Sequence, residues 1–452
     1  MSTLLTLRNP ATEAVIHEMP HATVDDVDAA IAKATAASPA WRKMAPVDRS
    51  RLLRRFADTV AAHADELAEI ETRNMGMPIG NSRWCANMVA DVLHYFSGAV
   101  EKHTGSSIPV AGGVDITFHE PLGVVGLITP WNFPMLMASW KVGPALAAGN
   151  TAVLKPAEIT PLSSMRLAEL ALEAGIPDGV FNVVVGPGST VGWRLVEHPD
   201  VRKVAFTGST EVGKRLMKGC ADQVKRLTLE LGGKSANIVF ADADIEKAAA
   251  AAPGAVFDNS GQDCCSRSRV LVQRSVFDRF MELFIDASKA WTVGDPMSPD
   301  TAMGPLVTAG HLAAVRQFSD GLETVYTGEV PTGPGYWHPV MIATPAYDAP
   351  VCHEEIFGPV VVVIPFDDEA DAIRICNDSI YGLSGSVWTR DGSKALRVVR
   401  AMDSGTLSVN SNSSVRYSTP FGGFKQSGLG REHSMQVLDH YTELKNVFIA
   451  SD

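Results

Sequence analysis

The segment KVAFTGSTEVGKRLMKG (203–219) places a β-branched run, a glycine-containing turn and a helical pattern in direct succession. The same order recurs along the chain, because helical stretches such as residues 162–174 separate most of its short apolar runs. These runs are GVVGLIT (123–129), TAVLK (151–155), FNVVV (181–185), KVAFT (203–207) and ANIVF (236–240). Strands that are apolar throughout and alternate with helices predict a parallel sheet with helices on both faces.

A second series of strand-like runs follows the first. It comprises RVLVQ (269–273), VVVVIPF (360–366) and TLSVN (406–410). A chain of 452 residues is long enough for two or three domains with real cores. We therefore predict an α/β protein with two α/β domains, joined near residues 231–233.

The remaining segments flank these two domains. The first hundred residues look helical, with a capping-box pattern at Thr23–Asp26 and a second helix from about Val47 that continues towards Leu67 and Ile70. A β-hairpin with a glycine turn is predicted at 107–118, and the tail at 440–450 has the pattern of a strand. Both would expose strand edges unless they pair with each other or with another subunit.

The composition excludes several classes of protein. The net charge of −12 makes nucleic acid and anionic membrane surfaces poor partners. The N-terminus lacks the pattern of a signal peptide, and no run of 18 apolar residues predicts a membrane span. The chain has only six cysteines and no CxxC pair, which argues against a disulfide framework and a zinc–thiolate site. We predict no metal ligands and a reducing, cytoplasmic setting.

Two glycine-rich turns follow predicted strands, at 185–192 and 206–213. Backbone N–H groups at the start of a helix bind phosphate, but neither turn is GxGxxG, and most such turns have no ligand. Lys155 and Glu158 end another strand, where they can hydrogen-bond the two hydroxyls of a ribose. A carboxylate there repels a 2′-phosphate and favours NAD over NADP; the alternative is a surface ion pair.

Three further positions can carry chemistry. Asn132 lies between two prolines in TPWNFP, where a stiff loop can aim an amide at an oxyanion or simply form a capped turn. Glu230 lies between apolar neighbours just before a Gly-Gly pair. There it can be a general base with a raised pKa, or it can simply cap a turn or form a salt bridge. Cys264 and Cys265 lie in the polar segment FDNSGQDCCSRSR (257–269), where a thiol is either inert or nucleophilic.

Taken together, these motifs resemble the NAD(P)-dependent aldehyde dehydrogenase superfamily over nearly the whole chain. The resemblance rests on NPATE (9–13), TPWNFP (129–134), KPAE (155–158), FTGSTEVG (206–213), LELGGKS (229–235), GQDCC (261–265), EEIFGP (354–359) and PFGGFKQSGLGRE (420–432). It implies a doubly wound cofactor domain, a catalytic α/β domain and a small bridging β element. The corresponding ranges are 1–102 with 121–231, 232–425, and 103–120 with 436–452.

The resemblance also implies the roles of individual residues. Cys264 is the nucleophile that forms a thiohemiacetal and then a thioester with the aldehyde, Asn132 stabilises the oxyanion, and Glu230 activates water for hydrolysis. The implied NAD-binding residues are Trp131, Lys155, Glu158, Gly188, Gly208, Ser209, Leu231, Glu355 and Phe357. NADP is the less favoured cofactor, and a homodimer or homotetramer is expected through the β element.

The resemblance leaves alternatives and departures. A coenzyme-A-acylating relative usually lacks the base at the position of Glu230, and a catalytically silent member would not need the three catalytic residues. Asp263 is unusual beside the nucleophile, residues 310–315 lack a lysine often found there, and residues 320–352 are shorter than usual. The identity of the aldehyde is not predicted, although Arg416 is a candidate for binding a carboxylated one.

Overall fold

The structure is a computed structural model that describes residues 4–451; residues 1–3 and 452 of the predicted domains lie outside this range. The chain begins with an antiparallel pair, β1 (Leu4–Arg8) and β2 (Val15–Pro20). The prediction of helix was wrong here, because LLTLR alternates and buries Leu5 and Leu7 against Val185.

Four helices follow: α1 (Val24–Lys43), α2 (Pro46–Ala62), α3 (Ala64–Met75) and α4 (Ile79–Ala99). The capping box at the start of α1 is confirmed, since Thr23 and Asp26 bond each other's backbone N–H. The predicted second helix is instead divided into α2 and α3 at His63, whose φ of −112° and ψ of 19° leave the helical region. Its ring Nδ1 lies 2.8 Å from the Thr59 carbonyl oxygen, so the His63 side chain caps a carbonyl group in the last turn of α2.

The predicted hairpin is confirmed as β3 (Ser107–Val110) and β4 (Gly113–Pro121). The C-terminal strand β18 (Thr442–Ala450) pairs antiparallel with β4 along its whole length, from Thr442 opposite Pro121 to Ala450 opposite Gly113. The hairpin and the tail therefore pair with each other within one chain and form a three-stranded sheet in the order β18-β4-β3, in which the outer edges of β18 and β3 pair with no other strand of the described residues.

The first large sheet has six strands in the order β17-β9-β8-β5-β6-β7. Its strands are β5 (Val124–Ile128), β6 (Thr151–Lys155), β7 (Phe181–Val183), β8 (Val201–Thr207), β9 (Arg226–Glu230) and β17 (Gly428–Leu429). All pairs are parallel except that of β17 with β9. The helices between them are α5 (Pro134–Ala147), α6 (Leu162–Glu173), α7 (Trp193–Glu197) and α8 (Thr210–Ala221).

The second large sheet has seven strands in the order β12-β13-β14-β11-β10-β15-β16. They are β10 (Ala236–Val239), β11 (Arg269–Gln273), β12 (Thr324–Thr327), β13 (Met341–Ala343), β14 (Val360–Phe366), β15 (Ser384–Trp388) and β16 (Thr406–Val409). Its helices are α9 (Ile245–Phe257), α10 (Phe277–Lys289), α11 (Ala309–Ser319), α12 (Pro350–His353), α13 (Glu369–Asn377) and α14 (Gly392–Ala401). Only the edge pair β12–β13 is antiparallel.

The predicted fold class, α/β with parallel sheets, is confirmed. Separate apolar clusters cover opposite faces of each sheet, as expected for strands that are apolar throughout. The exact domain boundaries and the roles assigned to the domains stay predictions. Among residues 4–451, no helix has the length and apolarity needed to cross a lipid bilayer.

Candidate active site

A cavity of about 370 Å³ brings together most of the residues singled out by sequence. Cys264, Asn132 and Glu230 all line it. Six of the predicted cofactor residues line it as well: Trp131, Gly208, Ser209, Leu231, Glu355 and Phe357. The contributions from the first sheet come from the carboxyl ends of β5, β8 and β9, which is where ligands bind in open parallel sheets.

A strained turn holds the cysteine loop in place. Asn259, Ser260 and Gly261 have φ values of 49°, 60° and 68°, so three successive residues are left-handed. A Cβ on Gly261 would lie 2.2 Å from the Gly358 carbonyl oxygen, so only glycine fits there. The Ser260 hydroxyl donates to the Gly304 carbonyl at 2.8 Å and ties the turn to a neighbouring loop.

Cys264 is partly exposed in this cavity, whereas Cys265 is buried. The Cys265 thiol, through a hydrogen bond, raises the pKa of Cys264 well above its ordinary value, and burial adds to the effect. The carboxyl groups of Asp263 and Glu355 act in the same direction. The Cys264 thiol is therefore protonated at neutral pH.

Asn132 is held from both sides by the cysteine loop. Its side-chain Nδ2 donates to the Gln262 main-chain carbonyl at 2.9 Å, and the Asn132 main-chain carbonyl accepts from Asn259 Nδ2 at 2.8 Å. The amide is only 5% exposed, and one of its two N–H groups makes the bond to Gln262. The second N–H makes no hydrogen bond within the described part of the chain.

Glu230 ends β9 and is 3% exposed. Burial raises its pKa well above the ordinary value, and the carboxylate of Glu432 adds to this, whereas Lys141 and Arg431 oppose it. Neither carboxyl oxygen of Glu230 has a hydrogen-bond partner among the described residues. A carboxyl group so placed, with a raised pKa and unpaired oxygens, suits a group that exchanges protons with a reacting molecule.

Lys141 and Glu432 form a buried ion pair behind Glu230, with side chains 0% and 2% exposed. We did not single out either residue as functional from the sequence. Lys141 is one cation within the apolar helix α5, and Glu432 lies 291 residues further along the chain. The sequence feature that could have indicated this pair is a single lysine in a helix that is otherwise apolar. A helix of this kind is buried on every side, and a buried cation needs a buried anion as its partner.

Lys155, Glu158 and Gly188 do not line the cavity. Lys155 ends β6, and burial lowers its pKa while Glu158 opposes the shift. Gly188 begins a short π-helical turn, and a Cβ there would meet no atom within 4 Å. Within the described chain, Glu158 Oε2 and Thr207 Oγ1 are buried without a partner. Unpaired polar atoms beside open space fit the ribose hydroxyls and phosphates of a dinucleotide.

Glu355 and Phe357 also line the cavity. Glu355 Oε1 accepts the Gly233 N–H at 2.8 Å, and burial raises the pKa of Glu355 to about 7. Phe357 is left-handed at φ 59°, and His311 Nε2 lies 2.8 Å from its carbonyl oxygen. His311, in the segment that lacks a lysine, also packs edge-on against Trp131 at 4.9 Å.

The remaining residues that line the cavity are mainly apolar. They include Trp84, Phe133, Leu136, Met137, Trp140, Val415 and Phe421, together with the carboxyl groups of Asp258 and Asp263. Arg416 is exposed and is not among the lining residues. The proposed contact of Arg416 with a carboxylated aldehyde has therefore no support in this geometry.

These features define an α/β enzyme with a thiol nucleophile and a dinucleotide site at the carboxyl ends of its strands. The family model for the aldehyde dehydrogenase family matches residues 2–447. The chain belongs to this family, as the sequence motifs predicted. The predicted activity, oxidation of an aldehyde with NAD as electron acceptor, is confirmed at this level.

Individual relatives align over almost the whole chain. Phenylacetaldehyde dehydrogenase of Pseudomonas fluorescens is 44% identical, covering 99% of this chain and 92% of the relative. NADP/NAD-dependent aldehyde dehydrogenase PuuC of Escherichia coli is 40% identical, and the alignment covers 98% of this chain and 91% of the relative. The crystal structure of PnpE in complex with nicotinamide adenine dinucleotide has a TM-score of 0.97 at 41% identity and covers 100% and 95%; PnpE is from Pseudomonas sp. WBC-3.

Proposed function

We propose that this chain oxidises a neutral aromatic aldehyde to its carboxylate by a hydrolytic route, with Cys264, Asn132 and Glu230 as the catalytic residues. The observation that carries the proposal is their convergence on one cavity whose remaining wall is mainly apolar and aromatic. The name of the phenylacetaldehyde dehydrogenase relative supports the same class of substrate.

The first half of the reaction belongs to Cys264. Its Sγ forms a bond to the aldehyde carbon as the thiol gives up its proton to water, and the electron pair of the C=O π bond moves to the oxygen, which becomes negative. The second N–H of Asn132 and the Cys264 main-chain N–H stabilise that oxygen. The chemistry that NAD supplies when bound is to accept the hydrogen and two electrons of this carbon, which leaves a thioester on Cys264.

The second half belongs to Glu230. Its carboxylate takes a proton from water as the water oxygen bonds to the thioester carbon; the C–S bond then breaks and the thiol is restored. A raised pKa suits this role, because a base with a pKa near the working pH transfers protons best. Burial is the main cause of the raised pKa of Glu230; Glu432 adds to the effect and Lys141 opposes it.

The cavity wall argues for a neutral substrate. Trp140 and Phe421 pack edge-on with ring centroids 5.1 Å apart, and both are almost fully buried. Burial, together with Asp263, raises the pKa of Asp258 to about 6, so Asp258 is mainly ionised above that pH. A second carboxylate entering with the substrate would meet this charge. We therefore place carboxylated aldehydes below aromatic ones.

The cofactor preference follows from Lys155 and Glu158. We assign the adenosine ribose to these two residues and place phosphates near Gly188, Gly208 and Ser209. The Glu158 carboxylate would repel a 2′-phosphate, which favours NAD over NADP. Trp131, Leu231, Glu355 and Phe357 are assigned to the nicotinamide end of the cavity.

The test is steady-state formation of reduced NAD with phenylacetaldehyde, a carboxylated and an amino-substituted aldehyde, each without coenzyme A. We expect the highest kcat/KM with phenylacetaldehyde, loss of turnover in Cys264→Ala, and retained turnover in the matched control Cys265→Ala. A dependence on coenzyme A would refute the hydrolytic route, and preference for either charged aldehyde would refute the aromatic assignment. Silence with every aldehyde would favour a non-catalytic role.

We also propose a homodimer or homotetramer in the cytoplasm. The three-stranded sheet exposes the apolar residues Ile108, Phe118, Leu444, Phe448 and Ile449, which an isolated chain leaves in water. All six cysteines are free thiols, as in a reducing compartment. A monomeric mass by sedimentation would refute the assembly.

A further inference from the structure

Two imidazoles and a carboxylate converge at the base of the β3–β4 hairpin, away from the catalytic cavity. His103 lies in the loop before β3, His119 lies in β4, and Asp439 lies in the 3-10 turn that precedes β18. We propose that His103, His119 and Asp439 form a binding site for one divalent late transition-metal ion, with Zn²⁺ as the reference ion. The resemblance and the proposed oxidation do not account for this cluster.

The geometry is close to that of a metal site. The three ligand atoms lie within 4.8 Å of one another. His103 Nε2 is 2.8 Å from Asp439 Oδ1, and His119 Nδ1 is 4.0 Å from the same oxygen. Zinc bonds of about 2.0–2.2 Å place ligand atoms roughly 3–3.5 Å apart, so shifts of less than about 2 Å would bring the ligand atoms, now within 4.8 Å of one another, to these separations. The Asp439 side chain is 60% exposed and free to move, whereas the two histidine side chains are only 15% and 19% exposed.

The donor set selects the kind of ion. Imidazole and carboxylate ligands suit Zn²⁺, Co²⁺, Ni²⁺ and Cu²⁺, whereas Mg²⁺ and Ca²⁺ prefer oxygen ligands alone. A metal binds the neutral form of imidazole through a ring nitrogen. The two rings are 3.8 Å apart between centroids, so both lie close enough to share one ion with Asp439. Three protein ligands leave a coordination position for water.

A bound ion would join two parts of the chain that are distant in sequence. His103 and Asp439 are 336 residues apart, and His119 belongs to the strand that pairs with β18. The turn that carries Asp439 also places Leu438 and Tyr441 in the main core. The ion would therefore link the hairpin to the C-terminal segment, and binding to the folded chain alone would raise its thermal stability.

Asp263, Cys264 and Cys265 form a second group with ligand atoms within 4.8 Å, and Zn²⁺ can also bind there. The test must separate the two groups. Zn²⁺ binding is measured by equilibrium dialysis and calorimetry on the full chain and on Asp439→Asn and His103→Asn, in which the thiol group is unchanged. The matched control is Asp58→Asn, since Asp58 is 64% exposed and lies 3.2 Å from a single histidine, His94.

We expect the unaltered chain and Asp58→Asn to bind one Zn²⁺ that Asp439→Asn and His103→Asn bind more than about tenfold more weakly, because losing a ligand costs at least as much as losing an outer partner. The Zn²⁺-dependent rise in Tm should disappear in the same two variants. Co²⁺ at this site should show weak visible bands without the intense near-ultraviolet band of a thiolate complex. Equal stoichiometry and affinity in all four proteins, or no Zn²⁺ binding, would overturn the proposal.

Discussion

Replacement of Asn132 by alanine tests the geometry of the proposed oxyanion site. The variant removes one donor aimed at the reacting oxygen, and loss of such a donor costs about 10²–10³-fold in kcat, or about 2.7–4 kcal/mol. It also removes the 2.9 Å bond from Asn132 Nδ2 to the Gln262 carbonyl. That carbonyl keeps a second donor, Asn259 Nδ2 at 3.3 Å, so the loss of stability should be near the lower end of about 1–3 kcal/mol.

The matched control is Asn182→Ala. Asn182 is also a buried asparagine, and its Nδ2 donates to the carbonyls of Gly179 at 2.7 Å and Ala152 at 3.2 Å. It does not line the cavity. This control should lose comparable or greater stability and keep its kcat.

The assay combines the rate of NADH formation with urea unfolding of both variants. We expect Asn132→Ala to show a kcat reduced by about 10²–10³-fold while it remains folded. A reduction of less than tenfold would refute the assignment of Asn132 as the oxyanion donor. An equal loss of kcat in Asn182→Ala would show that the effect reports general destabilisation.

Three further predictions concern carboxyl groups. Glu230→Gln should keep the initial burst of NADH but lower steady-state turnover by about 10²–10⁴-fold, and loss of the burst would contradict a role confined to hydrolysis. Glu158→Gln should raise the ratio of kcat/KM for NADP to that for NAD; an unchanged ratio would place the ribose elsewhere. Burial raises the pKa of Glu71 to about 7, so the folded chain binds an extra proton there and the contribution of Glu71 to stability falls as pH rises from about 4 to 7. In urea unfolding, Glu71→Gln should therefore gain about 2–4 kcal/mol relative to wild type between pH 4 and pH 8, and a constant difference would contradict this.

The strands that were predicted and those that were missed differ in a physical property. RVLVQ and VVVVIPF contain runs of apolar, mainly β-branched residues and coincide with β11 and β14. β9 (RLTLE) was missed because its polar residues alternate, although it carries Glu230. β15 (SGSVW) was missed because serine and glycine are weak strand formers, and its buried position comes from pairing with β10 and β16. Only the assembled sheet supplies that information.

The candidate site shows a similar division. Short motifs single out Asn132, Glu230 and Cys264 as candidates because each lies in or directly beside a turn with an unusual local sequence. The partnership of Lys141 with Glu432 depends on how distant segments pack, and no local pattern encodes it. The same is true of His103, His119 and Asp439, which are brought together only when β18 pairs with β4.

The effects of Cys265 and Asp263 on the nucleophile lead to a final prediction about reactivity. Both raise the pKa of Cys264, and the contribution of Cys265 is larger. Because the thiolate is the reactive form, removing either influence should increase the thiolate fraction of Cys264 at a fixed pH. Cys265→Ala should therefore raise the rate of alkylation of Cys264 by iodoacetamide more than Asp263→Asn does.

The measurement is the alkylation rate of Cys264, followed by peptide mass, from pH 6 to pH 10 in the absence of cofactor. In all three proteins the rate should rise with pH, and the profiles of the variants should move to lower pH. Cys220→Ala is the control, since Cys220 is buried in a different apolar cluster. Slower alkylation in Cys265→Ala, or a larger shift in Asp263→Asn, would mean that the two neighbours position the thiol rather than keep it protonated. A high resting pKa also protects Cys264, because oxidation follows thiolate character.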